Sequence, residues 1–246
     1  MNILEVKDIH VSFKAEKKSI FDKTSYIDVL KGISFDMSEN EIVGLVGESG
    51  CGKSTLAGTI LGLIKPVSGG VIHHSKHPQM IFQDPYSSLN PGKTVQFILE
   101  EPLRNCTDMT AEERKEKASW MLTEVGLDDS YLNRLPSELS GGQRQRVAIA
   151  QSLMLGSKLI IADEPVSALD VTIQAQVLNL IKELKNKYEL SMLFISHDLR
   201  VVYQLCDRVM ILKNGIIVEQ GKRDDIYKSP QHEYTKQLLK SAGILK

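Results

Sequence analysis

"GESGCGKST", residues 47–55, decides how this chain folds, and it follows directly on the apolar run "EIVGLV" (41–46). Glycine loses more conformational freedom on folding than any other residue, so three of them beside one lysine call for a compensating ligand. A phosphate chain is such a ligand. The spacing G-x-x-x-x-G-K-[ST] from Gly47 to Ser54 is that of a phosphate-binding loop. Along Gly47, Glu48, Ser49, Gly50, Cys51 and Gly52 the backbone N–H groups can curl into an anion nest, to which the N-terminus of a following helix adds positive potential. Lys53 is then the mobile cation for the β- and γ-phosphates, and the Ser54 hydroxyl, next to Thr55, is the ligand for Mg2+. The alternative is a mere Gly-rich turn, but the context favours the loop. A strand-like run (42–46) precedes it, and "TLAGTILGLI" (55–64) follows with helical spacing. Alone, such a loop specifies only a nucleoside triphosphate; kinases, GTPases and transport ATPases all remain open.

Bulk composition narrows the class. The 246 residues suit one large α/β domain, with or without an inserted subdomain. Hydrophobic content of 42% and charged content of 25% are ordinary for a soluble globular protein. A formal net charge of -1 carries no nucleic-acid footprint, so no nucleic-acid partner is expected. No apolar run approaches the ~20 residues needed to cross a bilayer, and "MNILEVKDIH" (1–10) carries charges where a signal peptide needs an apolar core. Cys51, Cys106 and Cys206 form neither a disulfide framework nor a metal spacing, which fits a reducing cytoplasm. Cys51 reads as a tolerated small residue, open to alkylation and not a nucleophile. "VIHHSKH" (71–77) reads as a short polar turn, since no second ligand cluster accompanies it.

Along the chain, "ILEVKDIHVSF" (3–13) and "YIDVLKGISFDM" (26–37) read as strands, joined by an exposed charged loop, "KAEKKSIFDKTS" (14–25). A short strand, "PQMIFQ" (78–83), follows the first helix. Residues of about 84–139 change character and read as a helical insertion. There "TAEERKEKASWMLTEVGL" (110–127) is amphipathic, and Thr110 with Glu113 has the spacing of a capping box. Beyond 140 come a helix (143–155), the strand "KLIIAD" (158–163), the helix "TIQAQVLNLIKELKNKY" (172–188), the strand "LSMLFIS" (190–196), a helix, and the strand "RVMILKNG" (208–215). Strands alternating with helices imply a parallel sheet covered on both faces.

Four stretches can complete a nucleotide machine. "LIIADEP" (159–165) ends an apolar strand on two carboxylates, so Asp163 can hold Mg2+ and Glu164 can act as general base toward water. "ISHD" (195–198) brings His197 out at the end of the next strand, where it can bind the γ-phosphate and hold the water in line. "LSGGQRQ" (139–145) sets Ser140, Gly141, Gly142 and Gln143 at a second anion-binding helix start, although Ser140 can equally be a plain N-cap. "FQDP" (82–85) places Gln83 where it can sense Mg2+ or the water.

In this order the phosphate loop, "FQDP", "LSGGQRQ", "LIIADEP", "SALD" (167–170) and "ISHD" resemble the Walker A, Q-loop, signature, Walker B, D-loop and H-loop of ATP-binding-cassette transporters, over nearly the whole chain. The resemblance implies a P-loop NTPase core with a mostly parallel sheet, an N-terminal antiparallel β subdomain and the inserted helical subdomain. It implies ATP and Mg2+ as ligands. Phe13 resembles the aromatic that stacks on adenine, with Phe21 and Tyr26 as alternatives. It further implies a head-to-tail pair of cassettes, in which Ser140, Gly141, Gly142, Gln143 and Asp170 of one face the nucleotide held by Lys53 of the other. Two permease subunits would lie in the membrane, with this chain peripheral on its cytoplasmic face in a prokaryotic cell.

"FQDPYSSLNP" (82–91) and "HEYTKQLL" (232–239) are similar to the oligopeptide, dipeptide and nickel importer branch, and "SGGQRQRVAIAQSL" (140–153) to its second ATPase subunit. That branch implies a second, paralogous ATP-binding subunit and an extracytoplasmic solute-binding protein. The short stretch between "SGG" (68–70) and "QMIFQD" (79–84), and an end soon after "HEYTKQLL", depart from the peptide importers and tilt the expected cargo toward nickel or a metal chelate. Rival readings are an exporter cassette, a soluble mechanical ATPase of the same superfamily, and a module that binds nucleotide without hydrolysing it. Glu164 and His197 speak against the last.

Overall fold

Alternating apolar residues set the first two strands. In β1 (Asn2–Lys14) the buried positions include Leu4, Val6, Ile9 and Val11, and in β2 (Tyr26–Ser38) they are Leu30, Ile33, Phe35 and Met37. This near period of two is what a half-buried strand requires. The computed structural model describes residues 1–15 and 25–245, so most of the charged loop expected at 14–25 lies outside the described residues. Strands β1 and β2 pair antiparallel from Asn2↔Ser38 to Lys14↔Tyr26, with several register shifts.

The chain divides into two compact units, Met1–His74 with Leu193–Lys246, and Ser75–Met192. In the first unit, β3 (Ile42–Val46) is buried at every residue and leads into α1 (Lys53–Ile60). After it, β4 (Ser68–His73) pairs with the free side of β1, giving an antiparallel sheet of order β2-β1-β4. The histidine-rich stretch expected to be a turn is therefore strand as far as His73, whose Nε2 lies 2.7 Å from the Ile60 carbonyl.

The second unit opens with β5 (Gln79–Ile81) and then turns helical. It contains α2 (Pro85–Ser88), α3 (Val95–Cys106), α4 (Ala111–Glu124), two 3-10 turns, and α5 (Gly141–Leu153). Helix α4 begins with the capping box its sequence announces. The Thr110 hydroxyl accepts from the Glu113 N–H at 3.3 Å, and the Glu113 carboxylate accepts from the Thr110 N–H at 2.7 Å. The strand β6 (Leu159–Asp163) is parallel to β5, with Gln79↔Ile160 and Ile81↔Ala162 in register. It is followed by α6 (Val171–Tyr188). At the ends of α4 and α6, Glu124 accepts from both Lys187 Nζ and the Tyr188 hydroxyl.

The strand β7 (Ser191–Ile195) carries the chain back into the first unit, where α7 (Leu199–Leu205) and β8 (Arg208–Lys213) follow. Parallel pairing of β3 with β8 joins Val43↔Arg208 through Val46↔Ile211. Gly44 has a packing reason here: a Cβ on it would lie 2.7 Å from Val202 Cγ1 of α7 and 3.0 Å from Cys206 Sγ. Sequence reading ended the last strand at "KNG". The structure instead turns at Asn214 (φ 50) and Gly215 (φ 80) into an antiparallel strand, β9 (Ile216–Lys222). Two consecutive positive φ values make this a hairpin turn of the Asn-Gly kind, so the signal was present in the sequence. Helices α8 (Arg223–Lys228) and α9 (Glu233–Ser241) close the unit. Among the described residues no helix is long and apolar enough to cross a membrane, and no group of three or more His, Cys, Asp or Glu could hold a metal ion.

Candidate nucleotide site

In the first unit, β3 delivers residues 47–52 into α1, and its glycines are needed for definite reasons. A Cβ on Gly47 would lie 2.3 Å from the Leu212 carbonyl oxygen, a backbone atom that cannot swing away. Gly50 (φ +79) and Gly52 (φ +111) occupy left-handed conformations that side chains disfavour. Gly52 is also the N-cap of α1 and supplies no side-chain acceptor, so the first N–H groups of the helix look into the loop without a local partner. Lys53 is only 7% exposed. Its ammonium curls back and donates to the carbonyls of Gly47 (2.7 Å) and Glu48 (2.9 Å). A cation held by the loop's own carbonyls at a helix N-terminus fits a phosphate chain, and the exposed Ser54 beside it fits a Mg2+ ligand. Thr55 is half-buried, its carbonyl bonded to the Thr59 hydroxyl. Cys51 is buried, and burial pushes its thiol pKa up, which accords with a packing residue and not with a nucleophile.

His197 lies in the same unit. The Ser196 N–H donates to the Leu45 carbonyl at 3.2 Å, so His197 emerges, exposed, beside the end of the strand that feeds the loop. The aromatics expected to stack on adenine sit at the far end of the β1–β2 ribbon. Phe13 is opposite Ile27 and Tyr26 opposite Lys14, both rings are exposed, and neighbouring pairs point to opposite faces. Only one of the two can therefore serve a given face. Phe21 lies outside the described residues.

The second unit gathers the other candidates. Asp163 ends β6 and is 7% exposed. Glu164 follows in a left-handed conformation, φ 47, uncommon for a residue with a long side chain. A turn holds it there: the Ser167 N–H and hydroxyl both donate to the Glu164 carbonyl, at 3.2 and 3.0 Å. The Glu164 carboxylate accepts from Gln83 Nε2 at 3.2 Å, so two residues 81 positions apart in sequence meet as a pair. Strain of this kind is commonly kept at reacting positions. Nothing in the sequence announces it, because the φ is imposed by the turn and not by the residue.

Ser140 is the N-cap of α5, and Gln143 completes a capping box with it; the Gln143 amide also donates to the Tyr131 hydroxyl at 2.9 Å. Gly141 is half-buried. Gly142 has a second reason to be glycine, since a Cβ there would lie 2.5 Å from Ile173 Cγ2 of α6. Asp170 caps that helix, accepting from the Ile173 N–H at 3.0 Å. The helix start with two glycines and the Asp170 cap are thus packed together within one unit. Sequence reasoning missed Tyr234, whose hydroxyl accepts from the Glu48 N–H at 3.3 Å. The "HEYT" run (232–235) was the available signal.

Comparison with known proteins gives consistent results. A family model described as ABC transporter matches residues 30–167. The oligopeptide transport ATP-binding protein AppF of Bacillus subtilis is 43% identical, over 98% of this chain and 78% of its own length. The dipeptide transport ATP-binding protein DppF of Escherichia coli is 46% identical, over 93% of this chain and 73% of its own. Among solved structures, the dimeric post-hydrolysis state of the ATP-binding cassette MJ0796 bound to ADP and Pi superposes with a TM-score of 0.76 at 29% identity, covering 89% of this chain and 98% of that one. The fold also matches cbiO1 of Clostridium perfringens, with a TM-score of 0.79 at 24% identity over 99% and 95% of the two chains.

Proposed function

The chain belongs to the ABC transporter family, as an ATP-binding subunit that hydrolyses ATP with Mg2+, and on that premise we propose that it powers the import of oligopeptides or dipeptides. Relatives at 43–46% identity over nearly the whole chain carry those cargoes in their names, which supports peptide. None of the relatives named here lends support to the tilt toward nickel or a metal chelate. The observation that carries the enzymatic part is the 47–55 loop, with its buried Lys53 ammonium at an uncapped helix start.

Each residue takes a role by its chemistry. Lys53 and the loop N–H groups hold the β- and γ-phosphates. By their chemistry Ser54 of the first unit, and Asp163 and Gln83 of the second, would each serve as Mg2+ ligands. When bound, the ion neutralises charge that builds on the phosphate oxygens. Glu164 takes a proton from water, and its hydrogen bond to Gln83 orients the carboxylate for that task. His197 donates to the γ-phosphate. Phe13 stacks on adenine, with Tyr26 as the candidate for the opposite face. Ser140, Gly141, Gly142, Gln143 and Asp170 act across a head-to-tail dimer on the nucleotide of the partner cassette. The existence of a second anion-binding helix start in one chain supports that arrangement, as does the dimeric state of MJ0796. The partner cassette is a paralogue. Two permease subunits seat on the helical insertion at 84–139, an extracytoplasmic binding protein delivers cargo, and this chain is peripheral on the cytoplasmic face of the membrane.

The experiment is to tag the Glu164→Gln chain, solubilise native membranes with ATP, and identify what co-purifies. A second cassette, two permeases and a binding protein that takes up dipeptides or oligopeptides is the expected result. A binding protein that holds a metal chelate and no peptide would overturn the cargo, and recovery of soluble partners alone would overturn transport.

A further inference from the structure

The contact between α9 and the phosphate loop has no place in the roles above. Four observations within the first unit converge on it. The Tyr234 hydroxyl accepts from the Glu48 N–H at 3.3 Å, while its ring is 5% exposed and lies under the Lys213 ammonium at 4.4 Å. His232 fixes the start of α9, with Nδ1 accepting from the Tyr234 N–H at 3.1 Å. The Glu219 carboxylate of β9 accepts from the N–H groups of Gln231 (2.7 Å) and His232 (3.1 Å). Lys213 directly follows Leu212, whose carbonyl crowds Gly47, and the Gly215 N–H donates to the Cys51 carbonyl at 3.1 Å. The loop is thus gripped by the β8–β9 hairpin on one part and by Tyr234 on another, and the "QHEYT" run (231–235) brings Tyr234 there.

We propose that Tyr234 is a positioning residue of the ATPase, a latch by which α9 holds the phosphate loop in its nucleotide-binding shape before ATP arrives. The physical reason is entropy. A loop with glycines at 47, 50 and 52 is costly to order, and any contact that orders it in advance lowers the cost charged to nucleotide binding. Glu48 is the residue to hold, because it precedes the two left-handed glycines and supplies one of the carbonyls on Lys53. Burial pushes the Tyr234 phenol pKa up, so the ring is neutral where it packs beneath Lys213.

The inference rests on 47–55 being the nucleotide site, and the test separates the two. Mant-ATP with Mg2+ is titrated into the purified wild-type, Tyr234→Phe, Glu219→Gln and Lys53→Ala chains, alongside urea unfolding of each. KM and kcat for ATP are measured for Tyr234→Phe in the intact membrane assembly. Phenylalanine keeps the ring under Lys213 and removes only the hydroxyl. The expected result is a nucleotide Kd and KM raised about three- to tenfold, the size of one net hydrogen bond, with kcat within twofold and at most a small drop in the unfolding midpoint. Glu219→Gln, which loosens the start of α9, shifts Kd the same way. If Lys53→Ala loses nucleotide while Tyr234→Phe binds like wild type, the latch is wrong and the site stands. A lower unfolding midpoint with unchanged Kd makes Tyr234 merely structural and also overturns it. If Lys53→Ala still binds tightly, the loop itself has been misassigned and the latch falls with it.

Discussion

In the proposed mechanism Lys53 and Glu164 do opposite kinds of work, and their substitutions should separate binding from chemistry. Lys53 is a buried cation whose partners are carbonyls of its own loop, so Lys53→Ala removes both the phosphate contact and an internal tie. Tight MgATP binding is expected to disappear, at least a hundredfold in Kd, because a charge-assisted contact in a desolvated site is lost. Glu164→Gln keeps the shape and can still hydrogen-bond Gln83, but it cannot take a proton. Nucleotide affinity should stay within a few-fold of wild type while phosphate release falls by two or more orders of magnitude. A Gln variant that turns over like wild type would remove Glu164 from the base role. Motif spacing singled out both residues as candidates. The left-handed φ of Glu164 was not legible there, because it depends on the bonds from Ser167 to the Glu164 carbonyl.

At the scale of elements, local chemistry was a good guide wherever an element's own residues decide its ends. Thr110 and Glu113 start α4, Ser140 and Gln143 start α5, and Asp170 starts α6, each by a side-chain cap within three residues. The hairpin β8–β9 was missed although "NG" marks it, since the reading stopped at the strand before it. That turn also joins distant parts: Gly215 donates to Cys51 in the loop, and its own carbonyl accepts from Lys31 at 2.9 Å. A Cβ at Gly215 would lie 2.1 Å from the Val29 carbonyl oxygen, at a φ of +80 that alanine disfavours. Gly215→Ala is therefore expected to destabilise the chain by about 3 kcal/mol, read as a lower urea midpoint with an unchanged slope. A midpoint within experimental error of wild type would mean that the turn relaxes freely and does not frame the loop.

For the whole molecule, the prediction concerns association. On the proposed pairing with a paralogous cassette, the Glu164→Gln chain mixed with that cassette under saturating MgATP should elute at the summed mass of the two chains. Wild type should return to monomer as ATP is consumed, since ATP favours the closed dimer only while it is intact. Dimerisation of this chain with itself alone, at equal strength, would replace the heterodimer by a homodimer. What the sequence determined by itself is everything carried by short spacings: the phosphate loop, the two carboxylates after "LIIA", the second helix start, the capped helices and the alternating strands. These depend on neighbours within a few residues, where backbone geometry is set locally. Only the tertiary structure decided which distant segments meet. Val43 pairs with Arg208, Gln83 reaches Glu164, Gly47 is pressed on Leu212, and Tyr234 holds Glu48. Such contacts follow from how buried surfaces close on one another, and no periodicity along one segment encodes its partner.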